Sequence, residues 1–165
     1  MDIFIEKMVK KNKTIGERIF VAGIMTLGII LALFFFLIAG SFGLLLAVGA
    51  IFGAYYLATS KNIEFEYIYT NGELDIDRII AQKRRKRMFS TSCKNFDIVA
   101  KKDSDMYTEE IKAIKNKIIL VSSMNSPDVY FATLNHKGQK TLLLFEPDGR
   151  MLSGFKTFIP RKVFI

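Results

Sequence analysis

Cysteine and histidine are almost missing from this sequence, whose 165 residues hold one of each, Cys93 and His136. A lone cysteine excludes an internal disulfide and any multi-cysteine metal site, and it suits a reducing compartment. Cys93 lies on or beside a strand-like run, where a thiol more often serves as a small buried hydrophobe than as a nucleophile. His136 falls in the turn-like Asn135-His136-Lys137-Gly138 and reads as a solvated turn residue, with no partners for a triad or a histidine-containing metal cluster. Glycine-rich phosphate loops are absent as well, because Gly138, Gly149 and Gly154 follow no nucleotide-binding spacing. Asp75 and Asp77 share a strand face, the usual pattern of the solvent side of a sheet. The expectation is a non-catalytic protein with no catalytic residue, no metal site and no cofactor.

Charge is missing from one long stretch. The last charge before it is Arg18, the next is Lys61, and everything between them is uncharged. Apolar residues make up 50% of the chain and mean hydropathy is +0.24, an excess concentrated in this run. A bilayer core of roughly 30 Å needs about 20 helical residues per crossing, so a run of about 39 fits two crossings with a tight turn. A cleaved signal peptide has a single apolar core of roughly 7 to 15 residues, less than half of what is present. Ala39-Gly40-Ser41-Phe42-Gly43 is the strongest break, which predicts helices over 19–38 and 42–58. Gly43, Ala47, Ala50 and Ala54, with Gly49 and Gly53 beside them, are spaced for close helix packing within the hairpin or between copies of it. Tyr55 and Tyr56 stand where aromatic rings prefer the headgroup level.

Lysine and arginine flank both ends of the hairpin. Lys7, Lys10, Lys11, Lys13 and Arg18 precede it, and Lys61, Arg78 and the run Lys83-Arg84-Arg85-Lys86-Arg87 follow it, while the turn is uncharged. This asymmetry predicts an integral cell-membrane protein with both termini cytoplasmic. In residues 1–18, a basic amphipathic segment, Met1, Phe4, Ile5 and Met8 fall on one helical face, as in a short interfacial helix; a frayed basic tail is the alternative. Of the net charge of +8, the first eighteen residues contribute +2. The remaining +6 belongs to the part after the hairpin, whose natural counter-charge is the anionic headgroups of the cytoplasmic leaflet. No nucleic-acid-binding motif accompanies the charge, and nucleic acid is not expected as a partner.

Residues 62–165 alternate period-two runs with turn signals, as an antiparallel sheet does. Strands are predicted over 63–70, 73–80, 88–93, 96–100, 118–122, 129–134 and 141–145, with Asn71-Gly72 as a type I′ turn and Lys83 to Arg87 as a loop. A helical turn is expected after Thr108. Met151, Leu152, Phe155 and Phe158 repeat at helical spacing after Asp148, a candidate N-cap, and stop before Pro160. Seven strands and one amphipathic helix can build a capped open β-barrel.

That order resembles the pleckstrin-homology-like fold, and Tyr67-Ile68-Tyr69-Thr70-Asn71-Gly72-Glu73-Leu74-Asp75-Ile76 is similar to the first hairpin of bacterial PH-like domains. From Met1-Asp2-Ile3-Phe4-Ile5-Glu6-Lys7 to Phe158-Ile159-Pro160-Arg161-Lys162, the chain resembles an uncharacterised family of small Gram-positive bacterial membrane proteins with a transmembrane hairpin. The resemblance implies an α+β membrane protein: a two-helix transmembrane hairpin over 19–58, then a PH-like seven-stranded antiparallel β-barrel or sandwich with a C-terminal capping helix. It brings no activity. Inositol-phosphate binding is not carried over, because here the basic run lies one loop after the first hairpin. The expected function is membrane-anchored binding or scaffolding, with Lys83, Arg84, Arg85, Lys86 and Arg87 touching the anionic bilayer and an unidentified protein as partner. The alternative is a homo-oligomeric accessory of a transport or membrane-stress system.

Overall fold

The computed structural model describes residues 3–164. They form two compact units: Asn12–Ile63 with Ile80–Arg84, and the residues up to Lys11 with Glu64–Ile79 and Arg85 onward. The first is a helical hairpin of α1 (Ile15–Ile38) and α2 (Gly43–Thr59). α1 starts four residues ahead of its expected position because Thr14 and Glu17 form a capping box: Thr14 Oγ1 accepts from the Glu17 amide at 3.2 Å, and Glu17 Oε2 accepts from the Thr14 amide at 2.8 Å. A short 3₁₀ turn, Gly40–Phe42, reverses the chain with Gly40 at φ +52°.

Only small residues are buried along this pair: Gly28 and Ala32 on α1, and Gly43, Ala47, Ala54 and Ala58 on α2. A Cβ on Gly28 would collide with that of Ala54, so the absent side chain sets how closely the helices approach. The large side chains point outward, with Leu37 79%, Phe42 71% and Leu45 70% exposed. α1, and α2 taken together with the 3₁₀ turn ahead of it (Gly40–Thr59), are long and apolar enough to cross a membrane, at mean hydropathies of 2.8 and 1.8.

The second unit opens with a correction. Phe4–Lys10 is a strand, β1, and neither an interfacial helix nor a tail. Ile5 and Val9 are buried whereas Phe4 and Met8 are exposed, which is period two. Met1, which the helical reading placed on the same face, lies outside the described residues. β1 pairs antiparallel with β2 (Ile63–Thr70), in register from Phe4 opposite Thr70 to Lys10 opposite Glu64. The ladder satisfies the backbone groups of this edge strand that face β2. β3 (Glu73–Ile80) and β4 (Arg84–Ser92) complete a four-stranded sheet ordered β1-β2-β3-β4. Asn71 and Gly72 both have positive φ, 49° and 93°, as the type I′ turn requires.

A second sheet takes the order β6-β8-β7-β5-β9 from β5 (Phe96–Lys101), β6 (Asn116–Ile119), β7 (Tyr130–His136), β8 (Gln139–Phe145) and β9 (Val163–Phe164). The pairs β5–β7 and β7–β8 are antiparallel, while β6–β8 and β5–β9 are parallel. Nine strands in two sheets therefore replace the expected seven-stranded antiparallel barrel, and no closed barrel exists among the described residues. The two additional strands are β1 and β9. Neither could be placed from local alternation alone, because each lies beyond a helix from the strand it joins.

The helix α3 (Glu109–Lys112) follows Thr108, and α4 (Gly149–Phe158) is capped by Asp148, which accepts from the Met151 amide at 2.8 Å. α4 lies against β2: a Cβ on Gly154 would come within 2.5 Å of the Tyr69 ring. Phe155 is fully buried, edge-on to Tyr69 at 4.9 Å and Phe96 at 5.9 Å, with Phe145 at 6.1 Å. Tyr67 anchors the same interior by donating to the Leu120 carbonyl at 2.5 Å. Phe155→Ala is expected to cost about 3–5 kcal/mol, as truncation of a packed aromatic does. Thermal melting of the full chain checks this, and an unchanged midpoint would show that Phe155 carries no core packing.

Candidate functional site

The basic run begins at the turn between β3 and β4. Ala81 and Gln82 hold φ of +52° and +56° there, a left-handed conformation that costs L-residues roughly 1–2 kcal/mol each. Two hydrogen bonds fix the turn: the Lys83 amide donates to the Ile80 carbonyl at 3.1 Å, and the Ala81 amide donates to the Asn62 carbonyl at 2.8 Å. The run beyond it is not the loop that its charge implied. Arg84 to Arg87 are the first four residues of β4, and the pleat sends alternate side chains to opposite faces.

Arg85 and Arg87 meet carboxylates on two other strands of the sheet, Asp75 and Asp77 on the adjacent β3 and Glu66 on β2 beyond it. Arg85 Nη2 lies 2.6 Å from each oxygen of Glu66, whose side chain is only 4% exposed. Arg87 bonds Asp77 through Nε and reaches Asp75 through Nη1 at 2.6 Å. Asp75 and Asp77 are thus counter-ions rather than a plain solvent face, and Asp77 is as buried as Glu66. These opposite-charge cross-strand contacts explain why β4 starts inside the basic run. Lys83 and Lys86 are exposed and carry no ion pair among the described residues.

Arg84 takes a different course, donating from Nη2 to the Tyr56 hydroxyl at 2.8 Å. Around this bond lies an open cleft of about 280 Å³, lined by Tyr55, Tyr56, Thr59 and Ser60 at the end of α2 and by Ile80, Ala81, Lys83 and Arg84. All eight belong to the hairpin unit. Charge alone pointed to Lys83 and Arg84 but not to Tyr56, Thr59 or Ser60. The signal that could have found them is the pair of tyrosines followed within four residues by two hydroxyls, where the apolar run ends.

The remaining chemistry is quiet. Cys93 is buried, and burial pushes its thiol above the ordinary range, which disfavours the reactive thiolate. Burial likewise raises Tyr67 and Tyr69. His136 ends β7 half-buried with its ring 5.2 Å from that of Phe89, so one side of it packs while the rest meets solvent. No cluster of histidine, cysteine and carboxylates suited to a metal ion occurs among the described residues.

Burial also raises the Glu66 carboxyl above its ordinary value; Arg85 opposes the rise, and Glu6 and Asp77 add to it. A carboxyl raised on folding favours the native state most below its unfolded pKa and loses that contribution as pH rises through the folded value. Arg85 limits the loss. Arg85→Gln should therefore destabilise the protein by about 1–3 kcal/mol at neutral pH, where Glu66 is left charged, and by less near pH 4, where it takes up a proton. Denaturant midpoints at the two pH values check this; equal losses at both would separate Arg85 from Glu66.

One family model matches residues 1–165: Bacterial PH-like domain (DUF6106). Comparison with curated proteins found no match, and comparison with solved structures found none.

Proposed function

The chain belongs to the bacterial PH-like domain family, and from that premise we propose that it is a membrane-anchored, non-catalytic binding or scaffolding protein whose β unit works at the cytoplasmic face of the cell membrane. The observation that carries this reading is the pairing of β1 with β2 across the apolar hairpin. Strands that pair must lie on one side of a bilayer, so the hairpin enters and leaves from the same side. Its outward side chains are almost all apolar, and the exposed Thr26 bonds its hydroxyl to the Ala22 carbonyl at 2.9 Å, a surface that suits hydrocarbon better than water. The flanking lysines and arginines make that side the cytoplasmic one. Lys83, Arg84 and Lys86, together with the exposed parts of Arg85 and Arg87, attract anionic headgroups and hold the β unit in one orientation for a protein partner.

A second reading has one observation in its favour. An added Cβ on Gly49 or Gly53 would meet nothing within 4 Å, so these two glycines, one turn apart on α2, leave a shallow face that a second copy could fill. Gly53→Leu should leave the oligomeric state in native membranes unchanged under the scaffold reading and should lower it under this one. Crosslinking followed by gel electrophoresis distinguishes them.

Topology is the decisive test of the anchor. A membrane-impermeant maleimide should label Ser41→Cys, in the hairpin turn, on intact cells, and should label Cys93 only after lysis and unfolding. Protection of position 41 in intact cells, or labelling of Cys93 there, overturns the proposed orientation.

A further inference from the structure

The cleft at the end of α2 differs from the rest of the basic run in having two cations and no carboxylate among its walls. Its volume of about 280 Å³ sits just under the roughly 300–1,000 Å³ of small-molecule sites, which leaves room for a compact headgroup and none for a nucleotide cofactor. The polar groups have assigned hydrogen-bonding states. The Tyr56 hydroxyl accepts from Arg84, so its own hydrogen remains to be donated. Thr59 Oγ1 donates to the Tyr56 carbonyl at 2.9 Å and Ser60 Oγ donates to the Leu57 carbonyl at 2.6 Å, so both hydroxyls turn lone pairs outward. Arg84 brings a planar donor fork, Lys83 a point charge and Tyr56 a phenolic donor, a set that matches a phosphate. The hydroxyl acceptors match hydroxyls attached to it, and Ile80 and Ala81 supply an apolar wall. The strained Ala81-Gln82 turn delivers Lys83 and Arg84 to this place, and such strain persists where the surroundings hold it.

We infer that this cleft is a discrete binding site for the phosphate of an anionic phospholipid with a hydroxylated headgroup, of which phosphoglycerol is the simplest. The inference rests on the proposed function in one respect, that α2 ends at the bilayer surface. It goes beyond it by separating one stereospecific contact from diffuse attraction. Lys86 carries the same charge as Arg84 and is not a wall of the cleft. Its neutralisation therefore reads the diffuse attraction alone.

The test uses the full chain in nanodiscs of phosphatidylcholine into which phosphatidylglycerol is titrated, with lipid retention read by native mass spectrometry. Arg84→Gln should lower retention of phosphatidylglycerol by about tenfold and Tyr56→Phe by about threefold, whereas Lys86→Gln, which removes only diffuse attraction, should lower it by about twofold. Tyr56→Phe keeps the aromatic ring and so separates lost recognition from lost folding. Equal losses in Arg84→Gln and Lys86→Gln would overturn the cleft while leaving diffuse headgroup attraction intact. Displacement of the lipid by millimolar inorganic phosphate would show a site for soluble phosphate and overturn the lipid assignment. No preference of the wild type for phosphatidylglycerol would overturn the site, while labelling of Ser41→Cys reports separately on the anchor.

Discussion

β1 leaves the four-stranded sheet at Lys10, and the chain returns to that sheet at Glu64, the residue paired with it. Between these two positions run both apolar helices, so the hairpin is an insertion into the connection of two adjacent antiparallel strands. Closing so long a connection as flexible chain would carry an entropic cost that grows with its length. Here the connection is a packed helical hairpin that brings its own ends together, because Gly28 lets α1 and α2 approach closely enough to return the chain beside its start. Packing in the hairpin and hydrogen bonding in the sheet therefore support each other. The same pairing requires that a bilayer crossed by the hairpin be entered and left on one face, since two strands of one sheet cannot lie on opposite faces of it.

The basic run shows how a strand divides a charge cluster. Read as a loop, five adjacent cations form one patch; on β4 the pleat makes them two sets with different roles. Arg85 and Arg87 compensate Glu66, Asp75 and Asp77, and removing them leaves buried carboxylates unpaired. Their contribution belongs to the fold. Lys83, Arg84 and Lys86 form no ion pair among the described residues, and Arg84 bonds the Tyr56 hydroxyl instead. Neutralising all five together would mix the two effects.

Most of the hairpin and much of the sheet were legible from residues alone. The absence of charge from 19 to 60 marked the helices, Gly40 marked their turn, and Asn71-Gly72 marked the boundary between β2 and β3 to the residue. Asp148 and the spacing of Met151, Leu152 and Phe155 marked α4. What failed were features decided by distant partners. Ile5, Lys7 and Val9 alternate, but Phe4, Ile5 and Met8 also satisfy a helix, and only β2, more than fifty residues on, settles between them. The basic run read as loop because its counter-ions, Glu66 and Asp77, lie on other strands. The turn at Ala81-Gln82 lacks the glycine or asparagine that marks positive φ, so its position was hidden.

Pairing of β1 with β2 is the claim on which the account stands, and site-directed disulfide crosslinking reads it directly. Phe4 and Thr70 are opposite one another and exposed, whereas Met8 is four residues out of register with Thr70. In native membranes and a Cys93→Ala background, the combination Phe4→Cys with Thr70→Cys should form an intramolecular disulfide under mild oxidation, and Met8→Cys with Thr70→Cys should not. Equal crosslinking of both combinations, or of neither, would mean that the segment ahead of the hairpin is not a strand of this sheet and would contradict the account.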